Sequence, residues 1–182
     1  CAERGVSVDE EEFKKEMEQQ RERARSSSKQ IANNVIKGNV FNALANEFGA
    51  TDFVGYEKSE CNTKIRALVR DGRQVDALGE GEEGMVLLES SPFYAERGGQ
   101  IGDTGLIKAD GVLAVVRNST HPFGELNMQT VTVTKGTLRV GESVLAQVDL
   151  DRHLAIARNH TATHILHAVL GKVLGGHVRQ NG

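Results

Sequence analysis

The spacing of apolar residues divides this chain into three stretches. Up to about residue 50, apolar residues recur three and four apart and end at Gly49, which predicts a short helix with a glycine stop. The apolar residues of this helix are Val35, Ile36, Val40, Phe41, Leu44 and Phe48. From Thr51 to about Leu150 the period is two, as in half-buried strands, and beyond that the helical spacing returns. The pattern predicts an α+β protein.

A polar helix is predicted near the start of the chain. Ser7–Glu10 forms a capping box, and acidic residues come first and arginines last, as the helix dipole favours. Only Phe13 and Met17 offer an apolar stripe. The arginines either contact RNA or belong to a solvated connecting helix, and the second interpretation is favoured. Ser26–Ser28 is a polar break, so residues 1–28 are predicted to form a linker helix.

A series of short strands is predicted in the middle of the chain. They cover residues 53–56, 62–70, 74–78, 85–89, 106–108, 112–117, 129–134 and 143–149. Dipeptides with turn chemistry lie between them, namely Asp71-Gly72, Asp110-Gly111, Lys135-Gly136 and Gly141-Glu142. Many short strands at close spacing favour a small antiparallel barrel or sandwich. With the preceding helix, it forms a predicted domain over residues 29–150.

The last stretch is predicted to be helical in two parts. A short segment begins at Asp149 or Asp151 and runs to Arg158. A second helix follows, with Asn159 as its N-cap and Gly175-Gly176 as its end.

Two histidines four residues apart define the chemistry of this second helix. At about 100° per residue, His160, His164 and His167 share one side. The other side carries apolar residues that are predicted to pack, namely Ile165, Leu166, Val169, Leu170 and Val173. Ring nitrogens at this spacing are close enough to bind one metal ion. The pair alone is equally compatible with solvated or hydrogen-bonded histidines, and the His-Glu-x-x-His pattern of metalloproteases is not met.

A glycine-rich stretch is the second part of the sequence that carries candidate chemistry. Ser91 to Gly105 reads SPFYAERGGQIGDTG, with further glycines at positions 98, 99 and 102. Glycine lets a backbone approach a ligand closely and turn with positive φ, and Gln100 offers both a donor and an acceptor. An ordinary hairpin loop explains Gly-Gly-Gln alone, but the whole stretch favours ligand binding over packing.

Composition and charge narrow the classes of function. The 182 residues are 38% hydrophobic, include no tryptophan and carry a net charge of −3. This charge argues against binding nucleic acid through bulk positive charge, although a local basic patch stays open. Cys1 and Cys61 form no CxxC motif, which favours a reducing, cytoplasmic or organellar interior. With no signal peptide or bilayer-length apolar run, no membrane partner is predicted.

The glycine-rich stretch and the histidine helix together resemble the editing region of alanyl-tRNA synthetase of the bacterial or organellar type. The motifs are Phe93-Tyr94-Ala95-Glu96 with Gly98-Gly99-Gln100, then His160-Thr161-Ala162-Thr163-His164 with the trailing Gly176-His177-Val178. Residues 16–25, EMEQQRERAR, resemble the linker between the aminoacylation and editing halves of the family. Free-standing editing proteins are not expected to carry that linker. The chain is interpreted as a synthetase fragment, with residues 151–182 opening an α/β editing core.

The resemblance implies an activity and a set of site residues. The family attaches alanine to tRNA(Ala) with ATP and Mg²⁺, and its editing region hydrolyses the ester of serine or glycine attached by mistake. The implied residues are Gln100, Gly98 and Gly99 for catalysis, Thr161 and Phe93 for substrate binding, and His160 and His164 for zinc. The chain has no adenylate-forming motif, so ATP and Mg²⁺ are expected in the parent enzyme only.

The zinc site is expected to be incomplete. The family completes it with a downstream Cys-x-x-x-His motif that this chain does not contain, and two imidazoles do not close a tetrahedral site. Any zinc is expected to be weakly held, completed by water or a neighbouring chain, or absent. Cys61 is a poor substitute because it lies early in the barrel. His167 is the alternative ligand, although the interpretation as a histidine on the helix surface is favoured.

Hypotheses from different classes remain open. A hydrolytic editing fragment requires Gln100 to lie near His160 and His164. A non-catalytic tRNA-binding or spacer module requires RNA affinity that falls steeply with salt, without turnover, and describes the isolated, inactive fragment better. A free-standing alanyl-tRNA editing hydrolase is a further alternative, and a metal-free structural domain would leave the motifs far apart. The expected partners are tRNA(Ala), the rest of the synthetase chain and, through elements beyond residue 182, a second copy.

Overall fold

The computed structural model describes residues 40–175, and a closed β-barrel lies in the middle of this range. The strands are β1 (Asp52–Phe53), β2 (Glu60–Arg70), β3 (Arg73–Val75), β4 (Ala77–Gly79), β5 (Glu83–Leu88), β6 (Ser90–Ser91), β7 (Gly105–Ala109), β8 (Val112–Thr120), β9 (Met128–Lys135), β10 (Thr137–Arg139) and β11 (Ser143–Val148). Helix α1 covers residues 40–48 and helix α2 is Leu150–Leu174. The barrel follows the antiparallel order β2-β5-β9-β8-β7-β11 and returns to β2. The predicted α+β class with a small antiparallel barrel is confirmed.

One long strand closes the barrel. Residues 60–64 of β2 pair with β11, and residues 65–69 pair with β5. The register with β5 shifts between Ile65 and Ala67, and a bulge of this kind bends a strand and increases its twist. Because the bent strand has a partner at each end, the sheet closes and has no open edge there.

Alternation along the strands fills the barrel interior. In β11, Val144, Ala146 and Val148 are buried, while Leu145 and Gln147 between them are half-buried. The same period of two in the sequence predicted these strands. The interior cluster comprises Ile65, Leu68, Leu78, Val86, Leu88, Phe93, Ile107, Ala114, Val116, Val131, Val133, Leu138, Val144, Ala146 and Val148.

The predicted turns are present, and two predicted strands are corrected. Asp71 and Gly72 have φ of 51° and 75°, the positive values that a type I′ hairpin requires. The glycines of the other three predicted turn dipeptides also have positive φ. Strand β1 ends at Phe53 rather than residue 56, because a turn follows, and Asp76 separates β3 from β4. Strands β6 and β10 were not predicted.

Helix α1 packs on the outside of the barrel. Its Phe41 and Leu44 join a second apolar cluster with Ala67, Val69, Leu87, Leu126 and Met128. Gly49 has a φ of 68° and donates its N–H to the carbonyl of Ala45 at 3.0 Å, so the predicted glycine stop is confirmed. The predicted apolar residues 35 and 36 of this helix lie outside the described residues.

Helix α2 is one continuous helix, which corrects the prediction of two segments. Asp149 is its N-cap, with a side-chain oxygen that accepts the N–H of Arg152 at 3.2 Å, and Gly175 ends it with a φ of 102°. Asn159 lies within the helix because its modest helix propensity is too weak to interrupt it. Within residues 40–175, neither helix has the length and apolarity needed to span a membrane.

No residue of α2 is buried. Ile165, Leu166, Val169 and Val173 are 60%, 57%, 49% and 74% exposed. The prediction that this apolar face packs is therefore not met within the described residues. The predicted linker helix over residues 1–28 and the trailing residues 176–178 lie outside them.

Candidate functional site

The glycine-rich loop and helix α2 meet in one cleft of about 290 Å³. The loop contributes Gly98, Gly99, Gln100 and Ile101, and the helix contributes Ile156, Asn159, His160, Thr163 and His164. We call this the histidine cleft. Gln100 thus shares a cleft with both histidines, as the editing hypothesis requires, and the separation expected of a metal-free structural domain is not observed.

Helical periodicity determines which residues of α2 line the cleft. Those residues are spaced by three or four positions and therefore share one face. Thr161, a predicted substrate contact, instead lines a shallow groove with Leu154 and Ile165, and its hydroxyl donates to the carbonyl of Ala157 at 3.0 Å. Thr163 lines the histidine cleft, and the predicted substrate contact of Thr161 stays a prediction. The 3.6-residue period applied to the whole helix would have found Thr163.

The two histidines lie side by side at the cleft. Their Nε2 atoms are 3.0 Å apart, and their ring planes meet at 75°. At this distance one ring can donate an N–H to the other, or both nitrogens can bind one metal ion. Two nitrogens bound to tetrahedral zinc at about 2.0–2.1 Å lie roughly 3.3 Å apart. His160 and His164 therefore fit as two zinc ligands after a small adjustment.

The described residues do not complete a metal site. Within residues 40–175, no group of three His, Cys, Asp or Glu side chains is placed to hold a metal ion. His167 is not among the residues that line the cleft. The Sγ of Cys61 donates to the carbonyl of Ser90 at 3.7 Å, its side chain packs against the barrel interior, and burial raises the pKa of its thiol. Neither residue supplies a third ligand in this geometry.

A two-glycine turn carries Gln100 to the cleft. Arg97 and Gln100 exchange backbone hydrogen bonds, with N···O distances of 3.3 and 3.1 Å. Gly98 and Gly99 between them have φ of 60° and 81°, as in a type I′ turn. A Cβ at Gly98 would meet nothing within 4 Å, so the left-handed backbone, and not space, requires glycine there. Among the described residues, neither glycine N–H has a backbone acceptor, so both are available to a ligand.

Three other residues of this stretch serve packing in this geometry. A Cβ at Gly102 would lie 2.1 Å from the carbonyl oxygen of Ser119, and one at Gly105 would lie 2.1 Å from that of Gln147. These glycines let the chain lie against β8 and β11. Phe93 is 0% exposed within the barrel interior. Its predicted contact with the substrate stays a prediction, and in this geometry its ring has no accessible surface.

Polar contacts join the start of α2 to the glycine-rich stretch. The carboxylate of buried Asp103 accepts the N–H of Tyr94 at 2.9 Å and lies 2.9 Å from Nδ1 of His153. The guanidinium of Arg152 donates to the carbonyl of Gly102 at 2.8 Å. We call these contacts the Asp103 latch. The latch fixes the direction in which α2 leaves the barrel, and no sequence spacing indicated it.

Comparison with known proteins places the chain in a family. Residues 1–152 match the family model of tRNA synthetases class II (A). This match covers most of the chain, so the chain belongs to the class II (A) tRNA synthetase family.

Its curated relatives are alanine–tRNA ligases. The ligase of Desulforudis audaxviator (strain MP104C) is 42% identical over 182 residues, which cover 100% of this chain and 21% of the relative. That of Pseudomonas entomophila (strain L48) is 46% identical over 180 residues, 99% of this chain and 20% of the relative. That of Rhodopseudomonas palustris (strain ATCC BAA-98 / CGA009) is 41% identical over 179 residues, which cover 98% of this chain and 20% of the relative. The chain spans about a fifth of the length of these relatives, and its resemblance to alanyl-tRNA synthetase is confirmed.

Proposed function

We propose that this chain is part of the editing region of an alanine–tRNA ligase. In this proposal the histidine cleft binds the ester bond of tRNA(Ala) mischarged with serine or glycine, so that water can hydrolyse it. The supporting observation is that Gln100, His160 and His164 line one cleft. A ligase for alanine needs such a site, because a pocket for a methyl group cannot exclude glycine by size and rejects an added hydroxyl poorly.

The loop side of the cleft stabilises charge and orients the reactants. The free N–H groups of Gly98 and Gly99 donate to the ester carbonyl as negative charge develops on it. Because the turn already fixes both groups, no reorganisation is needed at that moment. The side-chain amide of Gln100 orients the ester through its NH₂ group or the attacking water through its carbonyl oxygen.

The helix side supplies the two imidazoles. His160 and His164 suit zinc in donor type and spacing, and the remaining ligands would come from outside the described residues. Zinc held there would activate water or position the terminal adenosine of the tRNA. Without a metal ion, a neutral imidazole accepts the proton of the attacking water. The zinc arm of the experiment below separates these roles.

The activity of the whole ligase is a proposal for the complete protein only. That activity is attachment of alanine to tRNA(Ala) with ATP and Mg²⁺. This chain carries no adenylate-forming motif, so its own contribution is limited to editing and tRNA binding.

A non-catalytic tRNA-binding or spacer module is the second candidate. Both histidines are exposed, and the described residues supply only two metal ligands, which favours this function for the chain in isolation. It predicts tRNA affinity that falls steeply with salt and no turnover. A free-standing editing hydrolase has less support, because the similarity to full-length ligases extends over the linker residues 16–25.

Single-turnover hydrolysis of seryl-tRNA(Ala) tests the proposal. The chain is compared, with and without Zn²⁺, to a version completed with the downstream segment of the Pseudomonas entomophila relative. We expect the completed protein to release serine, and Gln100→Ala or His164→Ala to slow release by about 10²-fold. If serine release depends on Zn²⁺ in the parent but not in His160→Ala, the ion binds at the histidine pair.

Two variants serve as matched controls. Gln74 is an exposed glutamine on β3, and His167 lies on α2 outside the cleft. Gln74→Ala and His167→Ala should leave the rate unchanged. If the completed protein binds tRNA without releasing serine, or releases it independently of Gln100 and His164, the spacer function replaces the catalytic one.

A further inference from the structure

A second cleft, of about 240 Å³, adjoins the histidine cleft along the chain. Tyr94, Ala95 and Arg97 line the second cleft, and the residues that follow them, 98–101, line the first. The second cleft also includes Phe53 and Tyr56. We call it the aromatic cleft, because three aromatic side chains line it.

The Phe53 ring contacts both tyrosine rings. Phe53 lies edge-on to Tyr56 and to Tyr94, with centroid distances of 4.9 and 6.3 Å. Strand β1 pairs with β6 and so anchors Phe53 opposite Ser91. A Cβ at Gly55 would lie 2.4 Å from the carbonyl oxygen of Pro92 and 2.6 Å from the Phe53 ring, so glycine is required where the chain passes between them. Tyr56 is 86% exposed, so its ring contributes little to the core and is available to a ligand.

Charged and polar groups surround the rings. Arg97 and Glu125 lie 3.6 Å apart and are both largely exposed, so this pair is weak and each partner can turn to a ligand. Nδ1 of His121 lies 3.2 Å from the carbonyl of Leu126. Because a carbonyl only accepts, Nδ1 carries a proton and donates it to this bond. Buried Asn127 also lines the cleft, and its side chain donates to the carbonyl of Phe93 and accepts from Gln129.

We infer that the aromatic cleft binds the unpaired nucleotide that precedes the terminal adenosine of tRNA. The inference rests on the proposed function, in which that adenosine and its ester occupy the histidine cleft. Single-stranded RNA is held by stacking of bases on exposed aromatic rings and by arginine contacts to phosphate, and here Tyr56 and Arg97 offer both. Arg97 and Gly98 are consecutive, about 3.8 Å apart at Cα, so one loop lines both clefts, and the inference requires neighbouring nucleotides of one strand to occupy the two.

The chemistry of the cleft also fits the base expected there. The nucleotide before the terminal adenosine of tRNA is a cytidine, whose exocyclic amine donates hydrogen bonds. Glu125 lines the cleft, and its carboxylate oxygens accept hydrogen bonds. The proposed contacts are therefore stacking on Tyr56, phosphate at Arg97 and the cytosine amine at Glu125.

Fluorine NMR isolates this cleft without any assay of catalysis. The chain contains two tyrosines, and both line the aromatic cleft, so 3-fluorotyrosine gives two signals that Tyr94→Phe assigns. Titration with the trinucleotide CpCpA should shift both signals saturably. The same trinucleotide with an abasic middle position should bind roughly 5- to 100-fold more weakly, because stacking is lost. No shift with CpCpA, or equal affinity for the abasic trinucleotide, overturns the inference.

Steady-state deacylation by the completed protein gives a second readout. Tyr56→Ala should raise the KM for seryl-tRNA(Ala) roughly 5- to 100-fold with little change in kcat, and Tyr56→Phe should restore it because the ring remains. Phe123→Ala is the matched control, since Phe123 is an exposed aromatic residue that lines neither cleft. A KM for Tyr56→Ala equal to that of the control overturns the inference.

The two proposals fail separately. His164→Ala should slow hydrolysis by about 10²-fold and leave the fluorine shifts intact. If the completed protein shows the fluorine shifts but never hydrolyses the ester, the nucleotide site stands and the editing function is refuted. Hydrolysis without a shift of the tyrosine signals would retain the editing function and refute the nucleotide site.

Discussion

The barrel and helix α2 each provide one side of the histidine cleft, but they are held in different ways. The barrel closes on itself around a buried apolar interior. Helix α2 has 25 residues and buries none of them, and its described polar contacts with the barrel lie at its start. The two-glycine turn is therefore carried by a rigid scaffold, whereas the histidines depend on a few polar contacts. The precision with which the side chains of the cleft are positioned is therefore limited by helix α2 and not by the barrel.

Truncation of a barrel residue should have the largest effect. Leu68 is 0% exposed, and Leu68→Ala leaves a cavity in a close-packed interior. We expect it to lower the free energy of unfolding by about 2–5 kcal/mol. Leu166→Ala on α2, where the side chain is 57% exposed, should change it by no more than about 0.5 kcal/mol. Chemical denaturation measures both, and similar losses would show that the face of α2 is buried in solution.

Loss of the Asp103 latch should come next. Asp103→Ala leaves the partly buried N–H of Tyr94 without its acceptor and frees His153, which should cost about 1–3 kcal/mol. Hydrogen exchange should accelerate at the start of α2 and stay slow in the barrel strands. Asp76→Ala, at an exposed aspartate outside the latch, is the control. Acceleration spread evenly over barrel and helix would contradict a local role for the latch.

Much of the barrel was predictable because its signals are local. A period of two reports which residues of a strand are buried, and Asp71-Gly72 prefers its hairpin geometry whatever surrounds it. The meeting of the glycine-rich loop with the histidine helix followed from the family resemblance, not from spacing.

Sequence reasoning reached less far where long-range contacts decide which residues face a cleft. Phe93 belongs to a motif that resembles a ligand-binding loop, yet the barrel interior takes up its ring. Thr161 and Thr163 are equivalent in the motif, and only the rotation of α2 about its axis separates them. The contact of Asp103 with His153 joins residues 50 positions apart. No local pattern encodes such a contact.

A substitution that strains the two-glycine turn, which the barrel carries, should lower the stability by an intermediate amount. Gly98 has a φ of 60° and open space around it. Gly98→Ala should cost roughly 1–2 kcal/mol from left-handed backbone strain, and Gly98→Asn should cost less because asparagine tolerates that conformation. Thermal denaturation measures both variants. A stability equal to that of the parent for Gly98→Ala would mean that the turn adopts another backbone.

The smallest expected effect is a pH dependence within the barrel domain. The N–H of Gly79 donates to Glu82 at 2.7 Å, and this bond, with the nearby Arg70, lowers the pKa of the Glu82 carboxyl. The resulting stability is present above the unfolded pKa of about 4.3 and is lost as pH falls through the folded pKa. Glu82→Gln should therefore be slightly less stable than the parent at pH 7 and equal to it in acid. A difference that grows on acidification would contradict this.

A double-mutant cycle on single-turnover hydrolysis of seryl-tRNA(Ala) tests most directly whether the two sides of the cleft act on one ester. It compares the completed protein with its Gln100→Ala, His164→Ala and doubly substituted variants. We expect the double variant to be slowed far less than the product of the two single effects, because residues that act as a unit are strongly non-additive. Effects that multiply, or single variants as fast as the parent, would contradict a shared catalytic site.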